Sequence, residues 1–90
     1  MAVRVRIYGL LRMILHEREV AVEFPGGSLA ELVDVMSQKF SPEVRSELLD
    51  EAGNLDHAYM VTVGGERVTD IQASVGPDDQ VVITSMLAGG

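Results

Sequence analysis

The feature that most constrains the fold is an amphipathic helix placed between segments of alternating polarity. Ser28 and Glu31 have the spacing of a capping box, in which each side chain accepts a hydrogen bond from the other residue's backbone N–H. The apolar residues that follow recur at the spacing of one helical face: Leu29, Leu32, Val33, Met36 and Phe40. The sequence therefore predicts a helix from Ser28 with an apolar stripe that must pack on another element.

Short segments around this helix alternate between apolar and polar residues, which is typical of half-buried strands. Segments 3–8 and 20–24 precede the helix, and pairing them as a hairpin would set arginines opposite glutamates. Segment 58–68 follows it, with Gly64-Gly65 as a hairpin turn. The last segment, 80–85, is apolar on both faces, which favours a central position in the sheet.

The predicted elements fit a two-layer arrangement in which one main helix covers one face of a small sheet. The helix should lie against a sheet that contains Val5, Ile7, Val20, Val22, Val61 and Val82. The connection 9–18 is long for a hairpin and part of it should pack, while Ser41 and Pro42 begin a second, short helix that ends near Gly53. We predict an α+β protein with a β-grasp (ubiquitin-like) fold, in which a mixed sheet of four to five strands packs on one main helix. Residues 1–90 are expected to form a single domain.

Composition narrows the classes of function. The formal charge of −7 opposes binding to nucleic acid and suits a basic partner surface. The absence of cysteine removes disulfides, zinc–thiolate sites and side-chain thiol nucleophiles. No apolar run approaches the roughly 20 residues of a membrane span, and no signal peptide precedes the first strand, so we expect a cytoplasmic protein that does not bind membranes. His16 and His57 show no metal-ligand spacing, and no catalytic constellation is present.

The sequence ends in Gly89-Gly90 behind a short apolar segment. Two residues without Cβ form a thin thread that can enter a narrow channel of another enzyme, and Gly90 then offers an unhindered carboxylate. We expect residues 86–90 to form a flexible reactive tail, with Met86, Leu87 and Ala88 docking on a partner. The alternative is that Met86 and Leu87 continue the last strand and cover the end of the sheet.

Taken together, these segments resemble the MoaD/ThiS family of sulfur carriers, the molybdopterin-synthase small-subunit and thiamine-pathway type. The likeness spans essentially the whole chain and rests on these segments, in this order: Val3-Arg4-Val5-Arg6-Ile7-Tyr8-Gly9, Leu11-Arg12, Pro25-Gly26-Gly27-Ser28-Leu29-Ala30-Glu31-Leu32, Val61-Thr62-Val63-Gly64-Gly65, Asp79-Gln80-Val81-Val82-Ile83 and Leu87-Ala88-Gly89-Gly90. The molybdopterin-synthase subunits commonly carry Phe-Pro-Pro where this chain has Thr84-Ser85-Met86, and the C-terminal residues lean toward the thiamine carrier.

The resemblance implies a carrier without catalytic groups, cofactor or metal of its own. A ubiquitin-activating-type enzyme would use ATP to adenylate Gly90, and a sulfur donor such as a cysteine desulfurase or rhodanese would convert it to a thiocarboxylate. The sulfur would pass to the large subunit or synthase of molybdopterin (molybdenum or tungsten cofactor) biosynthesis. Met86, Leu87, Ala88 and Gly89 would enter the partner's active site, and we expect Tyr8, Arg12 and Thr84 to contact the partner.

Other functions remain open at this point. The same chemistry could serve thiamine, cysteine or tRNA thiolation. A conjugating modifier would use the same terminus to form isopeptide bonds, with Lys39 as the sole internal lysine for chain building. In a simple interaction module the two glycines would be inert.

Overall fold

The computed structural model describes residues 2–85. Ten elements follow one another along the chain: β1 (Ala2–Tyr8), α1 (Leu10–Leu15), β2 (Glu19–Glu23), β3 (Gly27–Ser28), α2 (Leu29–Lys39), α3 (Glu43–Leu48), β4 (Tyr59–Val63), β5 (Glu66–Val68), β6 (Ser74–Val75) and β7 (Gln80–Ser85).

Five of the strands form one mixed sheet in the order β2-β1-β7-β4-β5. Strand β7 lies in the centre, parallel to β1 and antiparallel to β4, while β1–β2 and β4–β5 are antiparallel neighbours. With α2 packed on one face, this is the β-grasp fold, as predicted. The central position that the sequence predicted for β7 is confirmed.

Helix α2 covers the inner face of the sheet. Its capping box is present: the Ser28 Oγ accepts from the Glu31 N–H at 3.1 Å, and the Glu31 Oε1 accepts from the Ser28 N–H at 3.0 Å. The face that this cap orients is almost fully buried. Its buried residues are Leu29, Leu32, Val33 and Met36. They share one core with the inner-face side chains Val3, Val5, Ile7, Val20, Val22, Val61, Val81 and Ile83.

Phe40, expected on the apolar stripe of the helix, and Val82, expected in the sheet, are not part of this core. Phe40 is 38% exposed, because it is the C-cap of α2 and lies beyond the last helical residue, Lys39, although its N–H still donates to the Met36 carbonyl. The Lys39 ammonium instead lies 5.6 Å from its ring centroid. Val82 belongs to the sheet, but its side chain is half-buried on the face opposite α2, because Val81 and Ile83 take the inner positions of β7.

The connecting segments differ in part from the expectation. The packed part of the 9–18 connection is the short helix α1, which buries Leu11. Helix α3 ends at Leu48, well before Gly53, because Leu49 turns extended and forms a β-bridge with Leu55.

Polar contacts position both ends of the helical layer. The Ser41 Oγ accepts from the Glu43 N–H at the start of α3, although Pro42 takes the capping position itself. An Arg45–Asp34 ion pair joins α3 to α2. The two-residue strands β3 and β6, which the sequence did not predict, pair just before α2 and hold its first turn.

Candidate functional site

Strand β7 leads the chain out of the centre of the sheet. Its last residue, Ser85, is buried and pairs with Tyr59 at the start of β4. The expected reactive segment (Met86, Leu87, Ala88, Gly89 and Gly90) lies outside the described residues, so its role as a tail stays a prediction. The described residues around Ser85 define the surface from which that segment starts.

The outer face of the sheet carries an exposed row of side chains beside this point. Parallel pairing sets Tyr8 next to Thr84, and antiparallel pairing sets Thr84 next to Met60. Tyr8 is 45% exposed, whereas Thr84 and Met60 are half-buried. We call Tyr8, Thr84 and Met60 the outer row. It brings together two of the three predicted contact residues and adds Met60, whose adaptable side chain suits a contact with another protein.

A second row continues the outer face away from the chain end. Val82 lies between Arg6 and Thr62 in register, and Thr62 pairs with Arg67 on β5. The Arg6 Nε lies 3.3 Å from the Glu19 Oε2, so arginine and glutamate face each other across β1 and β2 as predicted. Both side chains are well exposed, and such a pair contributes at most about 1 kcal/mol.

Gly9 sets the geometry where β1 meets α1. Its φ is +82° and its ψ −145°, a conformation that side chains with a Cβ rarely adopt. A Cβ built on Gly9 would lie 2.4 Å from the Ser85 Cβ. The missing side chain therefore lets β7 run past the β1–α1 junction, and it places α1 directly beside the end of β7.

Helix α1 carries the third predicted contact residue. Arg12 is half-buried and lines a shallow groove with Gly9, Leu10, Met13 and His16. Leu10 is 41% and Met13 71% exposed. We call this the α1 groove. Within residues 2–85 no carboxylate forms an ion pair with Arg12, so its charge is available to a ligand of the groove.

Beneath the sheet, Tyr59 ties the start of β4 to α3. Its phenolic O–H donates to the Glu47 Oε1 at 2.8 Å. Burial raises the pKa of the Tyr59 phenol above its ordinary value, and the neighbouring Glu47 and Asp56 carboxylates raise it further. Because Tyr59 pairs with Ser85, this contact fixes the inner side of the sheet at the point where the chain leaves it.

The site residues differ in how they could be found. Tyr8 and Thr84 are visible from strand alternation, since each lies at or near the end of a predicted strand. Gly9 and Met60 were missed, since only the β1–β7–β4 register brings them to Ser85 and Thr84.

Among residues 2–85, no group of three or more His, Cys, Asp or Glu side chains is placed to hold a metal. None of the described helices is long and apolar enough to cross a membrane.

The fold, with an exposed row beside the end of its central strand, defines a ubiquitin-like β-grasp protein. The chain is similar to the structure of SAMP1 from Haloferax volcanii, with a TM-score of 0.82 and 16% identity over 100% of both chains. It is similar to a chain of the BexX/CysO complex of Amycolatopsis orientalis, with a TM-score of 0.83 and 26% identity over 99% of this chain and 100% of that one. It is also similar to Urm1 of Sulfolobus solfataricus, with a TM-score of 0.59 and 20% identity over 91% and 97% of the two chains.

No family model and no curated protein matches the sequence. The resemblance to the MoaD/ThiS type is confirmed by the structural neighbours, which are ubiquitin-like sulfur carriers and modifiers of that type. These neighbours are small carrier or modifier proteins.

Proposed function

We propose that this protein is a sulfur carrier, whose Gly90 is adenylated and converted to a thiocarboxylate that donates sulfur in cofactor biosynthesis, with molybdopterin as the product. The chain contributes no catalytic group and binds no cofactor. ATP is used by the activating partner, in the cytoplasm. The observation that carries the proposal is the outer row, Tyr8, Thr84 and Met60, beside the end of β7 at Ser85. Ser85 precedes Gly90 by five residues.

This arrangement supports delivery of a terminus into a partner. A partner that covers the outer row would receive the residues after Ser85 directly. Five extended residues span at most about 17 Å, so the reacting carboxylate can reach a channel of that depth. The similar chain from Amycolatopsis orientalis was solved in a complex of BexX with CysO, which supports docking as the working state of such proteins.

The proposed reaction has two steps on Gly90. A carboxylate oxygen attacks the α-phosphorus of ATP, which forms the acyl-adenylate and releases pyrophosphate. A sulfur nucleophile such as hydrosulfide then attacks the carbonyl carbon, AMP leaves, and loss of the sulfur proton gives the thiocarboxylate. The thiocarboxylate sulfur then attacks an electrophilic carbon of the acceptor, a leaving group departs from that carbon, and a thioester joins the two molecules. Water attacks the carbonyl carbon of Gly90, the acyl C–S bond breaks, and the sulfur stays on the acceptor while the carboxylate is restored.

Alkylation provides a direct test, because the chain has no cysteine. After incubation with an activating enzyme, ATP and sulfide, a thiol-directed alkylating agent should label one site, mapped to Gly90 by fragment mass. Omission of ATP, deletion of Gly89 and Gly90, or Gly90→Leu should prevent labelling. Intact mass alone would mislead, since exchange of oxygen for sulfur resembles oxidation of a methionine. Absence of any terminal label with a competent activating enzyme would refute the proposal.

The docking part is tested with two matched charge substitutions. Tyr8→Asp places one carboxylate in the outer row, and Ala21→Asp places one on the exposed part of β2 at the other side of the same face. We expect Tyr8→Asp to raise the KM of the activating enzyme for this protein at least ten-fold, and Ala21→Asp to change it less than two-fold. Equal effects would show that the outer row is not the contact. Association should also slow as salt rises, because the chain is strongly acidic.

A second candidate function is conjugation to other proteins. The likeness to SAMP1 favours this function. A second similar structure from Haloferax volcanii carries the full name, small archaeal modifier protein 1. The same acyl-adenylate would then be attacked by a lysine amine, with formation of an isopeptide bond and release of AMP. An ATP-dependent isopeptide adduct without terminal alkylation would make the modifier the better assignment.

The acceptor of the sulfur is tested separately. Thiocarboxylated protein prepared in the alkylation experiment is incubated with the large subunit of a molybdopterin synthase and its precursor. Transfer should regenerate the Gly90 carboxylate and remove the alkylation site. Transfer to a thiamine, cysteine or tRNA system in its place would move the protein to that pathway.

A further inference from the structure

The α1 groove lies directly beside the point at which β7 ends. Gly9 lines the groove, and the Ser85 backbone nitrogen lies 3.1 Å from the Cβ position of Gly9. The described part of the chain therefore ends beside one end of this groove. At the other end lies His16, about 10 Å away along a helix that rises 1.5 Å per residue.

The groove and the C-terminal sequence have matching chemistry. Leu10 and Met13 are among the few large apolar side chains that the described residues leave exposed, and both border the groove. Residues 86–88 are Met, Leu and Ala, and the sequence then ends in a carboxylate. Arg12 supplies a positive charge that no carboxylate within residues 2–85 pairs with. The groove therefore offers an apolar surface and a cation, in reach of an apolar segment and an anion.

Length is also compatible. Five residues after Ser85 span at most about 17 Å when extended, which exceeds the length of the groove. Because the segment is tethered at the groove's edge, its effective concentration there is in the millimolar range. A contact too weak to hold a free peptide can for this reason still be populated within the chain.

We propose that residues 86–90 fold back along the α1 groove, with Met86 and Leu87 against Leu10 and Met13 and the Gly90 carboxylate beside Arg12. In this state the reacting carboxylate is held on its own domain. An activating partner must displace it before the segment can enter the partner's channel. The proposal depends on Gly90 as the free terminus, as the proposed function does, but not on sulfur chemistry.

Amide chemical shifts of the protein alone test this contact. The full chain is compared with a chain that ends at Ser85, and only Met13 and His16 are scored, because Gly9 touches Ser85 and will respond to any truncation. We expect clear shift changes at both residues. The free peptide Met-Leu-Ala-Gly-Gly, added at millimolar concentration to the truncated chain, should move the same signals back toward the full-length positions.

The charge contact is tested with matched variants. Arg12→Ala should reduce the shift difference at Met13 and His16, whereas Arg18→Ala, an exposed arginine that does not line the groove, should leave it unchanged. A peptide with an amidated C-terminus should bind about two- to five-fold more weakly, the size expected of a partly exposed ion pair.

Each alternative gives a different result. Shift differences that grow with protein concentration would assign the groove to the segment of a second copy. If the shifts of Met13 and His16 are unchanged by truncation but change when an activating enzyme is added, the groove is assigned to the partner. Either result, or no shift change at all, overturns the self-docked state. No activating enzyme, ATP or sulfur enters the first comparison, so its failure leaves the alkylation test of the proposed function intact.

Discussion

The close approach of Gly9 to Ser85 makes Gly9→Ala the most informative single substitution. An alanine there would carry its Cβ 2.4 Å from the Ser85 Cβ, well inside normal contact. It would also have to hold a φ of +82° with an extended ψ, which costs about 1–3 kcal/mol for a residue with a Cβ. Overpacking of a well-filled site costs about another 1–3 kcal/mol.

The sum, about 2–6 kcal/mol, is a large fraction of the 5–15 kcal/mol that stabilises a typical domain. A domain of this size loses roughly 4–8 °C of melting temperature for each kcal/mol. We therefore expect Gly9→Ala to lower Tm by at least about 8 °C. Urea unfolding followed by circular dichroism should give the same loss of free energy as a lowered midpoint.

Gly65→Ala is the matched control. Gly65 also has a positive φ, +86°, but nothing lies within 4 Å of its Cβ position. Its substitution measures the cost of the backbone conformation largely without a steric clash. If Gly9→Ala is no more destabilising than Gly65→Ala, the contact with Ser85 does not constrain the end of β7, and the argument that Gly9 sets the path of the chain fails.

Three further substitutions test the core, the cap and the buried phenol. Leu32→Ala should cost about 2–5 kcal/mol in urea unfolding, because Leu32 is fully buried in the helix–sheet core. Ser28→Ala should cost about 1 kcal/mol and lower the hydrogen-exchange protection of the Glu31 amide, because it removes one half of the capping box. Tyr59→Phe should cost about 1–3 kcal/mol at pH 7, because it removes a hydrogen bond to Glu47. Since the pKa of Tyr59 is raised in the folded state, its stabilising effect is present below pH 10 and is lost as pH rises above 10. The loss of stability above pH 10 should therefore be smaller in Tyr59→Phe.

Much of the fold could be predicted because its signals are local. Residues 28–36 carry their own cap and apolar stripe, and the segments around them alternate with the period of a strand. The error at Phe40 arose because a spacing of eleven residues fits one helical face, whereas nothing in that spacing says that the helix ends at Lys39. Helix α1 was missed as a helix because its six residues are too few for periodicity to separate a helix from a packed loop.

The candidate site could be predicted only in part. Tyr8 and Thr84 were chosen because each lies at the end of a predicted strand. Their adjacency depends on the parallel pairing of β1 with β7, two strands that are more than 70 positions apart in the sequence. Met60 joins them through a second long-range pairing, and the α1 groove lies near Ser85 because Gly9, which lines it, approaches Ser85 closely.

By itself the sequence determined the main helix, the long strands and the alternating polarity of their faces, because capping and periodicity are read from neighbouring residues. The chemistry expected at Gly90 stays a prediction. Only the tertiary structure decided which strand ends meet, that Val82 faces outward and Val81 inward, and that Gly9 of the α1 groove lies against Ser85. The physical reason is register. Successive side chains of a strand point to opposite faces, so the pairing of distant strands fixes which residues share a surface.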